Sequence, residues 1–198
     1  LSPISTGITR RSVQEARGFF TRAAYVINGY RFSANDIEHG VLRANAGYPF
    51  LPGRMFLAQD PRLRYVLPLD PRIHFALNCA ARSCPPIAAY DGEMLDHQLD
   101  MAARSFVSGG GVEIGLQARR LRISPLFRWY RSDFAGAFPG QRGHDALVQF
   151  IAHHLSDELA RQVLMGTPQG FRIHYQKYDW GLNRLLDQPQ IGSPGQEV

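Results

Sequence analysis

At 198 residues, with 44% apolar and 20% charged side chains, the chain is long enough to bury the core of one ordinary domain and is composed like a globular protein. No apolar run approaches the roughly 18 residues of a membrane-spanning helix. The net charge of +5 is carried by scattered arginines, with Lys177 the single lysine, which argues against a nucleic-acid-binding stripe, and two cysteines are too few for a disulfide scaffold.

Residues 1–18 are polar and mixed, with a short helix expected over 12–20. The opening LSPISTGITRRS lacks the charged-then-apolar layout of a signal peptide; beginning on Leu1, it reads either as what remains after a leader is removed or as a segment continuing an upstream part. Asn28-Gly29 stands between Tyr25-Val26-Ile27 and Tyr30-Arg31-Phe32. That pattern predicts a hairpin, because both turn positions need positive φ. Ser33 then starts a helix in a capping box with Asp36. Ile37, Val41 and Leu42 are its apolar face and Glu38 and His39 lie at its edge. Residues 46–69, rich in Gly, Pro and aromatics, read as a long irregular wrap.

The alternation over 72–78 predicts a strand with Ile73, Phe75 and Leu77 on one face and His74, Ala76 and Asn78 on the other. A loop holding both Cys79 and Cys84 follows at once. Residues 92–107 read as an amphipathic helix on Leu95, Leu99, Ala102 and Phe106. Leu121 and Ile123 mark a strand, and 125–134 a helix with Pro125 in its first turn. The longest helix is expected over 145–165, stopped by Gly166-Thr167-Pro168, with His153 and His154 as surface residues. Residues 171–175 are a strand leading into Lys177-Tyr178-Asp179-Trp180, and 188–198 a loose tail. The fold class expected is α+β, a small antiparallel sheet packed with helices in a single domain over 19–187.

The chemistry-bearing residues gather around the cysteine loop. Cys84 precedes Pro85-Pro86, which stiffen the backbone and remove two amide donors. A histidine in reach, His74, would stabilise its thiolate and shuttle a proton. Glu38 or Asp179 would orient that imidazole, and the Asn78 amide would donate to an oxyanion. Glu38 and Arg43 form a pair just over one turn apart, with His39 beside them. The plainer alternative makes Cys84 a small buried hydrophobe and His74 a core histidine. Cys79 packs, pairs with Cys84, or resolves it as a redox partner. His39, His74, Cys79 and Cys84 contain the donor types of a zinc site, but their spacing is not that of a zinc motif, and no metal or cofactor is expected. Phosphate-loop, dinucleotide, H-E-x-x-H and G-x-S-x-G motifs do not occur.

Four stretches carry a resemblance: Phe32-Ser33-Ala34-Asn35-Asp36-Ile37-Glu38-His39-Gly40-Val41-Leu42-Arg43, residues 70–86, Leu95-Asp96-His97-Gln98-Leu99-Asp100 with Phe106, and Tyr178-Asp179-Trp180-Gly181-Leu182-Asn183. Together, over about residues 19–186, they resemble the family known as domain of unknown function 547. Its His, Cys and acidic residues are similar in arrangement to papain-like and transglutaminase-like thiol hydrolases. The resemblance implies a Cys/His-dependent hydrolase or acyl/thiol transferase acting on a peptide- or amide-like substrate. The alternative is a catalytically silent scaffold or subunit of a larger assembly. The family's W-x-N-x-Y-N helix has no counterpart ahead of the hairpin, which implies that an upstream segment or a partner subunit completes the core.

Overall fold

The computed structural model describes residues 18–183 except 139 and 142, together with residues 12 and 15. The helix expected over 12–20 lies largely, and the tail over 188–198 wholly, outside the described residues. A single turn of helix, α1 (Phe19–Arg22), leads into the hairpin of β1 (Ala24–Ile27) and β2 (Tyr30–Ser33), antiparallel with Ile27 opposite Tyr30. Its turn residues Asn28 and Gly29 have φ of 49° and 81°, the conformation that a two-residue hairpin loop demands.

The capping box forms: Ser33 Oγ accepts the Asp36 N–H at 3.1 Å and Asp36 Oδ2 accepts the Ser33 N–H at 2.8 Å. What it caps is a wide π-helical turn, Asp36–Leu42, in which the Arg43 and Asn45 amides bond the carbonyls of Glu38 and Gly40, five residues back. Widening the turn rotates its inward side. Asp36, His39, Gly40 and Arg43 are buried while Ile37, Val41 and Leu42 are only half-buried, so the apolar face expected here is corrected to a polar one. Gly40 permits this packing, since a Cβ there would lie 2.4 Å from the ring of Phe56. Asn45 pins that phenylalanine through both its backbone groups, at 2.7 and 2.9 Å.

The wrap that follows is irregular except for a 3-10 turn, Pro61–Tyr65. The strand expected over 72–78 is also a 3-10 turn, Pro71–Phe75. Both begin with the same tripeptide. In Asp60-Pro61-Arg62 and Asp70-Pro71-Arg72 the aspartate accepts the arginine N–H at 2.9 Å and holds its guanidinium. An acidic cap followed by proline at the first helical position is a helix start, and it overrides the alternation of Ile73, His74 and Phe75, all three of which are buried.

Helix α2 (Leu95–Phe106) runs into a glycine-rich π turn, Val107–Gly111. A three-stranded sheet follows: β3 (Val112–Gly115) pairs antiparallel with β4 (Arg120–Ile123), which pairs parallel with β5 (Arg172–Tyr175). The fold is α+β as expected, with two small sheets, the second of them mixed. Both helices anticipated over 125–134 and 145–165 are broken. The first becomes α3 (Leu126–Trp129) and α4 (Arg131–Gly136), and the second becomes α5 (Gly143–His153) and α6 (Glu158–Gly166). Asp157 restarts the latter by accepting the Ala160 N–H at 3.1 Å, as an N-cap does.

The core lies between these helices and the mixed sheet, where Phe75, Phe127, Phe134 and Phe150 pack ring against ring over Leu121, Ile123 and Ile151. The break after α5 turns His154 inward: it is buried, its Nδ1 2.8 Å from the Phe150 carbonyl, while His153 is exposed as expected. No helix among the described residues is long and apolar enough to cross a membrane.

Candidate thiol site

The cysteine loop is built to hold two sulfurs together. Ala80 takes a φ of 65°, and Asn78 staples the loop by accepting the Ala80 N–H at 2.6 Å and donating from Nδ2 to the Pro85 carbonyl. The Cys84 N–H closes back on the Ala81 carbonyl at 3.0 Å. A strap from the far end of the chain fixes the outer edge. Ala81 bridges Leu182, Arg82 and Asn183 donate to the Gly181 and Ala80 carbonyls at 2.8 and 2.9 Å, and the Asp179 N–H donates to Ser83 Oγ at 2.9 Å.

Within the loop the Cys79 and Cys84 sulfurs are free thiols 2.8 Å apart. Cys84 Sγ also receives the Cys79 backbone N–H at 3.1 Å and faces the Tyr178 hydroxyl at 3.3 Å. Tyr178 is held between Trp129 and Trp180, with ring centroids 4.8 and 4.6 Å away. Donors aimed at one sulfur favour its thiolate. The Cys79 thiol, then the Tyr178 hydroxyl and the Cys79 amide, outweigh burial and bring Cys84 down to about 6. Its partner moves the other way: hydrogen bonding to Cys84, reinforced by burial, pushes Cys79 well above the usual thiol range.

A second polar constellation lies beneath the π turn. Arg43 grips Asp133 with Nε at 2.6 Å and Nη2 at 2.9 Å, and the two side chains are only 2% and 3% exposed. His74 Nε2 lies 3.0 Å from the same carboxylate. Burial would raise Asp133, but the hydrogen bonds from His74 and Arg43 win and hold it far below its ordinary value. Against that carboxylate His74 keeps its proton on Nε2, while burial lowers its own pKa despite Asp133. Its Nδ1 is therefore a bare acceptor, buried and without a partner among the described residues. The Tyr130 ring stacks on the imidazole at 3.7 Å, and its hydroxyl donates to Glu38 Oε1. Glu38 lies 3.7 Å from His39 Nδ1, which Arg43 Nη1 approaches to 3.3 Å.

Both constellations face one cleft of about 540 Å³, whose lining includes Cys79, Cys84, Asn78, Glu38, His39 and His74. Residues far apart in the chain thus meet at this cleft. The contact expected between Cys84 and His74 is not formed, because each is bonded elsewhere. Arg43 stands behind the cleft wall, on Asp133. Asp179 is exposed and serves its own strap, accepting the Gly181 N–H at 2.8 Å with Arg82 at 3.8 Å. No group of three or more His, Cys, Asp and Glu side chains among the described residues is arranged to hold a metal ion.

Sequence reasoning missed Asp133, Tyr130 and the part played by the Tyr178 hydroxyl. For Asp133 a signal existed: Leu126, Tyr130, Asp133 and Phe134 follow helical spacing, which sets an acid in an apolar stripe.

Residues 4–107 match the family described as protein of unknown function, DUF547. That span takes in the hairpin, the π turn, the cysteine loop and α2, and ends before Asp133 and Tyr178, short of the 19–186 anticipated. No curated protein matches the chain, and no solved structure does.

Proposed function

The chain belongs to the family described as protein of unknown function, DUF547, and we propose that it is a thiol-dependent hydrolase or acyl/thiol transferase acting on a peptide- or amide-like substrate, with Cys84 as nucleophile. The observation that carries this reading is the Cys84 sulfur on the cleft wall, facing the Cys79 amide at 3.1 Å and the Tyr178 hydroxyl at 3.3 Å. A thiolate there attacks the substrate carbonyl carbon, the C–N bond breaks, and the acyl group remains as a thioester until water or an acceptor takes it. The departing amine takes its proton from water, and His74 Nδ1 accepts the proton of the water or acceptor that then attacks the thioester. Asp133 takes the orienting role first considered for Glu38 or Asp179, and Arg43 fixes Asp133. Asn78 Nδ2 has a second hydrogen to offer an oxyanion, and Glu38 and His39 present polar groups to the rest of the substrate.

One observation favours a second reading. The His74 side chain is fully enclosed, as in a core network, which suits a silent module whose cleft holds a peptide segment of a partner protein without reacting. Peptide mass spectrometry of iodoacetamide labelling against pH, run alongside acylation by 4-nitrophenyl acetate, separates the two. A thiol enzyme labels at Cys84 well below the usual thiol pKa of about 8.5 and carries an acyl adduct there. In His74→Ala, labelling is retained and release of the acyl group slows. Two cysteines that stay unlabelled until the chain unfolds establish the silent module instead.

A further inference from the structure

We propose that Cys79 and Cys84 form a redox-active dithiol that exchanges with low-molecular-weight disulfides, Cys84 attacking and Cys79 resolving. The inference shares with the proposed function the Cys84 thiolate and nothing else.

Their sulfurs stand 2.8 Å apart, so closure to a disulfide of about 2.05 Å needs a shift of under an ångström. The loop ends are already together: the Asn78 staple and the Ala80 turn hold the loop in place before any bond forms. Here the Cys79 amide donates to Cys84, and the Tyr178 hydroxyl stands closer to Cys84, 3.3 Å against 3.8 Å. Such directed donation marks Cys84 as the attacking sulfur.

The cavities divide in the same sense. Cys84 lines the 540 Å³ cleft and also a second cavity of about 390 Å³, beside Arg82, Pro86, Gly110 and Lys177, whereas Cys79 lines only the first. Thiol–disulfide exchange runs in line through the attacked sulfur. A group R bound to Cys84 from the smaller cavity is therefore displaced away from Cys79.

In the first step the Cys84 thiolate attacks RS–SR. The Cys84 S–S bond forms, the substrate S–S bond breaks, and RS⁻ departs. With its charge gone, Cys84 no longer draws the Cys79 proton, which passes to RS⁻. The Cys79 thiolate then attacks Cys84 Sγ, closes the disulfide and expels the second RS⁻, which takes a proton from water. The two cysteine sulfurs are oxidised, RS–SR is reduced to two RSH, and the disulfide reopens with excess thiol.

The test is intact-mass analysis of the full chain after native incubation with glutathione disulfide and an acid quench. Wild type should lose two hydrogens and retain no glutathione. Cys79→Ser should trap one glutathione on Cys84, and Cys84→Ser should capture none. Wild type that retains glutathione on Cys84 as stably as Cys79→Ser overturns the resolving role while leaving the nucleophile intact. Wild type that takes up no glutathione and loses no hydrogens, although iodoacetamide labels Cys84, overturns the dithiol alone. Failure of iodoacetamide to label Cys84 as well removes both readings.

Discussion

Cys84 owes its character to neighbours rather than to a histidine. The sequence placed His74 as its activator because the two residues are close in the chain and chemically suited. The fold instead bonds His74 to Asp133, 59 positions away, and brings Tyr178 to Cys84 from 94 positions away. Such pairings leave no trace in local spacing, so the sequence pointed to the cysteine loop and its surroundings without the bonds that connect them. A separate outcome follows at this scale. A hydrogen bond to a charged group is worth about 1.5–3 kcal/mol, and one pKa unit is about 1.4 kcal/mol. Tyr178→Phe should therefore raise the pH midpoint of Cys84 labelling by about one to two units. His74→Ala should leave that midpoint unmoved, and an equal shift in both variants would mean that imidazole and thiol are coupled after all.

Elements were readable where backbone chemistry dictates them. Asn28-Gly29 could only be a hairpin turn, and Ser33 with Asp36 could only be a cap. Element type was misread where the two signals disagreed. Over residues 70–78, alternation suggested a strand while Asp70-Pro71 signalled a helix start, and the start prevailed because the cap satisfies backbone donors that a strand would need a partner to satisfy. The π turn was illegible, since its widening shows only when Asp36, His39 and Arg43 must all face inward around Gly40. That glycine is the element's weak point. Gly40→Ala drives a methyl into the Phe56 ring and should cost about 1–3 kcal/mol in urea denaturation, as overpacking does. Combining it with Phe56→Leu should cost less than the sum of the two single variants. Strict additivity would show that the two side chains do not meet.

For the whole molecule, the site and the fold stand or fall together, because the cleft is assembled from the π turn, the cysteine loop, α3 with α4, and the terminal strap. Its keystone is the buried Arg43–Asp133 pair. Asp133→Ala leaves an arginine charge uncompensated in the interior and should cost about 3–5 kcal/mol. Acid attacks the same place. Burial lowers His39, His74 and His154 from 6.5. Below that value the unfolded chain binds protons that the folded chain refuses, and stability falls as pH falls. Asp133 acts in the same sense but later: held below 3.8 in the fold, it contributes stability above that value and loses it as pH drops towards its folded pKa. In Cys84→Ser, which removes the pH dependence of the lowered Cys84 thiol, unfolding free energies from urea titrations should thus be level from about pH 8 to 7, then decline by up to about 1.4 kcal/mol per pH unit for each histidine, and steepen below about pH 4. Free energies that stay level down to about pH 5 would mean that the three imidazoles accept protons inside the fold, and that the network around Asp133 tolerates a charge its burial argues against.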